Sequence, residues 1–382
     1  MIKGEKMMFP GRPTRAEIDL TALLHNYRQV KSNAGANRKV LAAVKADAYG
    51  HGAVAVARAL ERHGADFLGV ALTEEGVQLR EAGIRLPILL LGGFYPGQEG
   101  TLLDHRLTPI LFDLEGARRL HETAFLRGVR HPCHLKVDSG MGRVGFREEE
   151  LGEVLGRLRE WPSLDLEGVL SHFALSDVPG HPVITQQLER FRRALAAIRE
   201  AGFTPRYRHI SNSAAVLSLD IPECTLVRPG IMLYGSPPSA HFEKGFDLRP
   251  VMSLRTAIAQ IKRVPEGTGV SYGHRFVTSR PSRLAAIPIG YGDGFSRRLS
   301  NIGEVLLRGK RVKVAGTVCM DWTLLDVTDV PEAEVGDTVT LMGEDKAERI
   351  RAEEWAEKIG TISYEVFCNI GKRVPRVYTG AL

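Results

Sequence analysis

From residue 39 to residue 235 the chain alternates short apolar runs with amphipathic stretches, and this alternation limits the fold more than any other feature. Most of the runs are near-continuous apolar segments, as expected for parallel strands that are buried on both faces. The eight runs cover residues 40–46, 67–72, 87–93, 108–112, 133–138, 168–173, 206–211 and 228–235. Eight strand–helix units favour a parallel (β/α)8 barrel over an open sheet.

The stretches between the runs are typical of helices that end in glycine. Their segments are AVAVARALERHG, TEEGVQLREAG, LEGARRLHETAFLRG and TQQLERFRRALAAIREAG, and the helices should stop at Gly64, Gly83, Gly128 and Gly202. Thr73, which two glutamates follow, is expected to be an N-cap. A further helix, IDLTALLHNYRQVKS, is predicted before the first strand.

The pattern changes after about residue 240, where strand-like runs follow one another with little helix between them. The runs VMSLRTAIAQIKRV, RLAAIPIG, EVLLRGKRVKVAG, TVCMDWTLLDVT and DTVTLMG predict a mainly β second domain, with one short helix, RAEEWAEKIG. The length of 382 residues agrees with two domains at roughly 150 residues each. We therefore expect a barrel over 12–240 and a β domain over 241–382, with residues 1–11 packed on the β domain or frayed.

Charge, cysteine content and hydropathy argue against several classes of protein. The net charge is +6, but the basic residues are dispersed, so no nucleic-acid partner is expected. No apolar run reaches about 18 residues and the first residues lack an apolar h-region, which predicts a cytoplasmic protein without a membrane span. The four cysteines lie far apart, and the group His131, Cys133 and His134 fits no standard ligand spacing, so neither a disulfide framework nor a metal is expected.

Residues that can carry chemistry gather where the predicted barrel strands end, which is where barrel enzymes place their active sites. Lys45 ends the first strand beside small residues, and this favours an amine with a lowered pKa that forms an imine. The other candidates are Lys136, Asp138, Arg143, His172, Ser211, Asn212, Ser213 and Arg228. A solvated lysine, a packing histidine and a helix cap are the simpler interpretations of Lys45, His172 and Asn212.

The loops after the seventh and eighth strands are the usual phosphate site of such a barrel. Asn212 and Ser213 would bring side-chain groups and helix N-terminal N–H groups together there, and Gly230 would bring the backbone close. A phosphate site beside an imine-forming lysine predicts pyridoxal 5'-phosphate (PLP) as the cofactor.

Two glycine-flanked tyrosines stand out in the second domain. Tyr272 lies in GVSYGHRF and Tyr291 in GYGDGF, where the glycines allow close backbone approach and expose the phenols. On these residues alone, a hairpin turn with an aromatic lid is the favoured interpretation.

Eight segments, in order and across both domains, resemble the bacterial alanine racemase family. They are AVKADAYGHG, KVDSGMGRVG, SHFA, RPGIMLYG, VSYGH, GYGDGF, VCMDW and TISYEV. Ser139 stands where the family usually has threonine. The resemblance implies a cytoplasmic homodimer that uses PLP to interconvert L-alanine and D-alanine and so supplies D-alanine for peptidoglycan.

The resemblance also implies roles for individual residues. Lys45 would hold PLP and act as one of two bases, and Tyr272 of the second subunit would act on the opposite face of the substrate. Arg228 would meet the pyridine nitrogen, with His172 behind the tyrosine and His209 as a further supporting residue. The positions that match the family's phosphate site are Tyr49, Ser213, Gly230, Ile231 and Tyr364.

The remaining matches concern the substrate. Arg143 matches an arginine near the phenolic oxygen of the cofactor and the substrate carboxylate, and Met320 matches a backbone contact to that carboxylate. Tyr291 and Cys319 would line the entrance. Lys136 matches a lysine that is carbamylated in some members of the family, where it orients the arginine.

Three other functions fit parts of the same pattern. A racemase of broader specificity would need a wider entrance around Tyr291, Cys319 and Met320. A non-enzymatic PLP-binding barrel would lack the second domain and the opposing Tyr272. A PLP-dependent decarboxylase of this barrel class would be expected to present an acid, rather than Arg228, to the pyridine nitrogen.

Overall fold

The structure is a computed structural model that describes residues 11–380. These residues form two compact units, one over 22–249 and one that combines 11–21 with 250–380. The first strand, β1 (Arg15–Asp19), pairs with two strands of the second unit, so the units differ from the expected limits of 12–240 and 241–382. The expectation for residues 1–11 falls almost wholly outside the described residues.

Eight parallel strands form the first unit. They are β2 (Lys39–Ala43), β3 (Phe67–Val70), β4 (Ile88–Leu90), β5 (Leu107–Leu111), β6 (His131–Lys136), β7 (Leu164–Leu170), β8 (Tyr207–His209) and β9 (Leu226–Val227). Their order is β8-β7-β6-β5-β4-β3-β2-β9. The N–H groups of Thr225 and Arg228 donate to the carbonyls of Arg208 and Ser211 over 2.9 Å each, and these bonds join β8 to β9. The predicted parallel barrel is confirmed.

Helices and short 3-10 turns connect the barrel strands. The helices are α1 (Leu20–Ala34), α2 (Lys45–Tyr49), α3 (Ala53–Arg62), α4 (Thr73–Glu81), α5 (Glu99–Asp104), α6 (Leu114–Leu126), α7 (Leu151–Glu160), α8 (Pro182–Glu200) and α9 (Ser213–Ser218). The 3-10 turns are Glu148–Glu150, Ile231–Tyr234 and Ala240–Phe242. Gly64, Gly83, Gly128 and Gly202 all have positive φ, which confirms that they end helices.

The apolar runs supply the barrel core, but two local predictions were wrong. The eighth strand ends at Val227 rather than continuing to residue 235, because Pro229 has no N–H for the ladder, and Ile231–Tyr234 is buried as a 3-10 turn. The N-cap of α4 is Leu72 rather than Thr73. Glu75 accepts the N–H of Leu72 over 3.1 Å, so the hydrogen bond at this helix start comes from the third helical residue and not from a threonine N-cap.

The second unit is a largely antiparallel sheet with β1 near one edge. Its other strands are β10 (Met252–Ala257), β11 (Gln260–Val264), β12 (Gly269–Val270), β13 (Phe276–Val277), β14 (Ser282–Ile287), β15 (Glu304–Leu307), β16 (Lys310–Val314), β17 (Thr323–Asp326), β18 (Thr338–Asp345), β19 (Glu348–Ile350) and β20 (Arg376–Thr379). The main sheet has the order β11-β14-β17-β16-β15-β18-β10-β1-β20, with β19 on β18, while β12 and β13 form a separate hairpin. The mainly β domain is confirmed.

The second unit also contains helices. They are α10 (Ala352–Ile359) and α11 (Ser363–Cys368), with 3-10 turns at Tyr272–His274, Tyr291–Asp293 and Arg297–Leu299. The sequence predicted α10 and missed α11. Among residues 11–380, no helix has the length and apolar character needed to cross a bilayer.

Candidate active site

Lys45 opens a short left-handed turn at the carboxyl end of β2. Residues Ala46 to Tyr49 all have φ between 52° and 55°, although none is glycine. Such backbone costs roughly 1–2 kcal/mol per residue, so the surrounding structure must hold it. Glu75 Oε1 accepts the N–H of Ala46 over 2.6 Å, and Asp47 Oδ1 accepts the N–H of Ala53 over 2.7 Å. The turn therefore gives Lys45 and Tyr49 defined positions at the strand end, which the sequence pattern did not reveal.

Three of the predicted phosphate-site residues converge at the ends of α2, β8 and β9. Asn212 caps α9 by accepting the N–H of Ala215 over 3.1 Å, and Ser213 Oγ accepts the N–H of Gly230 over 2.9 Å. A Cβ atom at Gly230 would lie 2.5 Å from the Tyr49 hydroxyl. The absence of a side chain at Gly230 is thus what lets the tyrosine hydroxyl reach this backbone. Ile231, the next residue, is buried.

Arg228 lies buried between the ends of β7 and β8. Nη1 donates to His209 Nδ1 over 2.9 Å and to the His209 carbonyl over 2.8 Å. Nη2 donates to the Ser171 carbonyl over 2.6 Å and to His172 Nδ1 over 3.1 Å. Guanidinium carries five N–H donors, and among residues 11–380 the Nε–H has no hydrogen-bond partner. The Arg228 guanidinium is therefore held in a fixed orientation, and its Nε–H remains available as a donor.

Both histidines beside Arg228 are kept neutral. Burial lowers the pKa of His172 and of His209 well below the usual range, and the positive charge of Arg228 acts in the same direction. Since an arginine N–H can only donate, Nδ1 of each histidine must accept, and each proton then sits on Nε2. Sequence reasoning named these residues separately, and the structure brings them together around one guanidinium.

Lys136 ends β6 as a buried amine. Burial, together with the positive charges of Arg228 and Arg143, lowers the pKa of Lys136 to about 7. Arg143 is exposed on the following loop, whose start is fixed by Asp138: this carboxylate accepts the N–H of Met141 over 2.8 Å. Ser139, the departure from the family pattern, exchanges a 2.7 Å hydrogen bond with Ser171.

The second unit gathers four of its predicted site residues. Tyr272 is 72% exposed and follows Ser271, whose Oγ lies 3.4 Å from Cys319 Sγ. The N–H of Tyr291 donates to the Cys319 carbonyl over 3.0 Å, and Met320 is half exposed beside it. Tyr272 lies between β12 and β13, which pair as a short hairpin, so both the expected hairpin and an exposed phenol are present. Tyr364, the fifth predicted residue, lies on α11 and is half-buried.

Sequence reasoning pointed to Asp293, beside Tyr291, but assigned no role to this acid. Asp293 is fully buried, lies 2.8 Å from Arg12 and 3.4 Å from Arg373, and accepts the N–H of Gly290. It therefore fixes the loop that carries Tyr291. Its place between glycines in GYGDGF was the available signal, because a conformationally special loop often needs a buried acceptor.

Comparison with known proteins decides the family. The sequence profile of the alanine racemase N-terminal domain matches residues 18–238, and that of the alanine racemase C-terminal domain matches residues 251–378. Alanine racemase of Geobacter sulfurreducens is 51% identical over 371 residues, which are 96% of this chain and 97% of the relative. The chain belongs to the alanine racemase family.

Solved structures of the alanine racemase family have the same fold. The crystal structure of alanine racemase from Streptomyces lavendulae superposes with a TM-score of 0.93 at 39% identity, covering 98% of this chain and 99% of that one. Alanine racemase from Bartonella henselae, solved with covalently bound pyridoxal phosphate, gives a TM-score of 0.88 at 30% identity and covers 97% and 100%. The resemblance of the eight segments is thus confirmed over both domains.

Proposed function

We propose that this chain uses PLP to interconvert L-alanine and D-alanine, with Lys45 and Tyr272 as the two bases. The observation that carries the proposal is the state of Arg228, a buried guanidinium whose Nε–H is its one donor without a partner among residues 11–380. A pyridine nitrogen is an acceptor that fits this donor, because Arg228 cannot give up its proton. The phosphate would bind where Tyr49, Ser213 and Gly230 converge, with Asn212, Ile231 and Tyr364 as further contacts.

When bound, PLP supplies an electron sink that makes the α-proton of an attached amino acid acidic. Lys45 would hold the cofactor covalently and remove or return that proton at one face, while the Tyr272 oxygen does so at the other face. Two bases on opposite faces allow the proton to leave from one side and return on the other, as racemisation requires. Arg228, which leaves the ring nitrogen unprotonated, would limit the electron sink and suppress transamination.

Arg143, Lys136 and Met320 would hold the substrate carboxylate in place. A buried amine whose pKa is about 7 is largely neutral at pH 8, and a neutral amine reacts with carbon dioxide. We therefore propose that Lys136 is carbamylated and that its negative charge orients Arg143. Tyr291 and Cys319 would line the entrance to the site.

The active site is proposed to be shared between the two subunits of a cytoplasmic homodimer. The exposed phenol of Tyr272 supports this, because it would be covered by a partner rather than by its own hairpin. Mixing a Lys45→Ala subunit with a Tyr272→Phe subunit would then produce heterodimers with one intact site. About one quarter of wild-type activity is expected after complete exchange, and the absence of complementation would exclude a shared site.

Chiral chromatography tests the substrate. L-alanine, L-serine, L-lysine and L-arginine would be incubated together with the protein and PLP. D-alanine alone, or far ahead of the others, supports the proposal and a role in supplying D-alanine for peptidoglycan. A spread of D-amino acids would indicate a racemase of broad specificity, and no D-product from PLP-loaded protein would overturn the proposal.

A further inference from the structure

A chain of side chains leads from Arg228 through the barrel to an acid that the proposed mechanism does not use. Arg228 Nη1 donates to His209 Nδ1 over 2.9 Å, and the other nitrogen of that ring lies 2.8 Å from His134 Nδ1. His134 Nε2 in turn lies 3.4 Å from Glu167 Oε1, an ion-pair distance, and this buried nitrogen has no hydrogen-bond partner among residues 11–380. Both imidazoles are fully buried, so bulk water does not compete for these contacts.

The hydrogen-bond donors and acceptors of Arg228, His209, His134 and Glu167 can be arranged in only one way when both histidines are neutral. Arg228 only donates, so His209 Nδ1 accepts and its proton lies on Nε2. That Nε2–H must donate to His134 Nδ1, which places the proton of His134 on Nε2, facing the carboxylate of Glu167. Burial lowers the pKa of His134 and His209, so neither ring carries a second proton that would reverse the direction.

The backbone is adapted to this arrangement. Cys133 pairs with Leu166 but His134 pairs with Gly168, so Glu167 is the extra residue of a bulge in β7. A Cβ atom at Gly168 would lie 2.3 Å from His134 Nδ1, so the ring fits because position 168 has no side chain. Glu167 Oε2 also accepts a 2.9 Å hydrogen bond from Arg206, which keeps the carboxylate oriented.

We propose that His134 and Glu167 are positioning residues for Arg228, which they hold through His209 by fixing the direction of N–H donation along the chain. If His134 carried its proton on Nδ1, His209 would need its own proton on Nδ1, directly against an Arg228 N–H. Arg228 would then lose a hydrogen-bond acceptor, and its guanidinium group would lose its fixed orientation. The effect of His134 and Glu167 on catalysis depends on the proposed role of Arg228 at the cofactor ring. The positions of the protons on His209 and His134 do not depend on that role.

Nitrogen NMR of the full-length protein, prepared without cofactor and labelled with 15N-histidine, tests the arrangement directly. We expect a through-hydrogen-bond coupling between two histidine rings, with both rings in the Nε2–H form. A proton on Nδ1 of His209 or His134, or averaging between the two forms, would overturn the proposal. This result does not depend on racemase activity, so failure of the proposed function would be recognised separately by chiral chromatography.

Two substitutions at His134 separate positioning from simple packing. In His134→Asn the carboxamide oxygen lies near the place of Nδ1 and can still accept from His209, whereas His134→Leu offers no acceptor. We expect His134→Leu to leave the His209 Nε2–H without its acceptor, which should move the nitrogen signal of that N–H, and to weaken PLP binding by about three- to tenfold, the effect of one hydrogen bond. His134→Asn should restore both values. Equal behaviour of the two variants, or an unchanged His209 spectrum in His134→Leu, would contradict the proposal.

A matched pair of acids provides the control. Glu167 and Glu223 both pair with arginines, Arg206 and Arg192 respectively, but within the described residues 11–380 Glu223 has no hydrogen bond or ion pair with His134. Glu167→Leu should change the His134 nitrogen signals and accelerate hydrogen exchange at its Nε2–H, while Glu223→Leu should change neither. If both variants leave His134 unchanged, Glu167 does not belong to the chain. If His134→Leu fails to fold, the wild-type spectrum and His134→Asn still decide the question.

Discussion

Gly230→Ala perturbs the proposed phosphate site with the least possible change. The new Cβ would lie 2.5 Å from the Tyr49 hydroxyl and 3.2 Å from its Cζ atom. Tyr49 must move, because Ser213 and the strand ends hold the backbone of Gly230 in place.

Overpacking of this kind typically costs about 1–3 kcal/mol. If the cost falls on the proposed phosphate contact, the affinity for PLP should drop roughly 5- to 150-fold. Titration of the cofactor-free protein with PLP, followed by absorbance, measures this directly. Gly156→Ala is the control, because a Cβ atom at Gly156 in α7 would meet no atom within 4 Å. Its PLP affinity should equal that of the wild type.

A double substitution identifies the cause. Tyr49→Phe removes the hydroxyl, so the shortest contact of a Cβ atom at position 230 becomes the 3.2 Å contact to Cζ, which a small shift relieves. Gly230→Ala should therefore weaken PLP binding much less in the Tyr49→Phe background than in the wild type. Additive effects, or wild-type affinity in Gly230→Ala alone, would refute the idea that Tyr49 and Gly230 form one site.

Four further outcomes are expected. Tyr272→Phe should reduce racemisation severely while PLP stays bound; loss of PLP would instead show that this tyrosine is structural. Arg228→Glu should increase abortive transamination, measured as pyruvate formed from alanine, and no increase would contradict the argument from an unprotonated ring. Lys136 has a folded pKa of about 7, below its unfolded value near 10.4, so the unfolded chain binds more protons between these values and stability should rise with pH there. Denaturant unfolding of the cofactor-free protein at pH 7 and pH 10, in buffer freed of carbon dioxide so that Lys136 is the free amine, measures this rise, and Lys136→Met should remove it. Asp293→Asn removes a fully buried carboxylate from the partly exposed Arg12 and should destabilise the protein by about 1–3 kcal/mol, whereas Asp329→Asn, at an exposed pair with Arg280, should cost less than about 1 kcal/mol.

Local sequence determined much of the architecture. The eight apolar runs predicted the barrel, because strands buried on both faces must be apolar along their whole length. The same argument failed at 228–235, where most residues are buried without forming a strand. Burial explains why these residues are apolar, but Pro229, which has no N–H, ends the hydrogen-bonded pairing of the strand. The start of the first helix was also misplaced, since Ile18 and Asp19 belong to β1, whose strand partners lie far away in sequence.

The chemical identity of the site was equally available from the chain. Lys45, Arg228 and Tyr272 lie in segments whose order and spacing resemble one family. These segments indicate the family from the sequence alone. Residue types at strand ends predicted that chemistry would occur there, because parallel strands bring their carboxyl ends to one rim.

The tertiary structure alone decided how these groups are held and charged. The left-handed turn after Lys45 depends on Glu75, which lies 29 positions further along the chain. The lowered pKa of Lys136 comes mainly from burial, and also from Arg228, which is distant in sequence, and from Arg143 on the following loop. The protons on His209 and His134 are assigned only when Arg228 and Glu167 are seen at opposite ends of the same chain of contacts. Protonation states and strained backbone are properties of an environment, and an environment is made of residues that no local pattern connects.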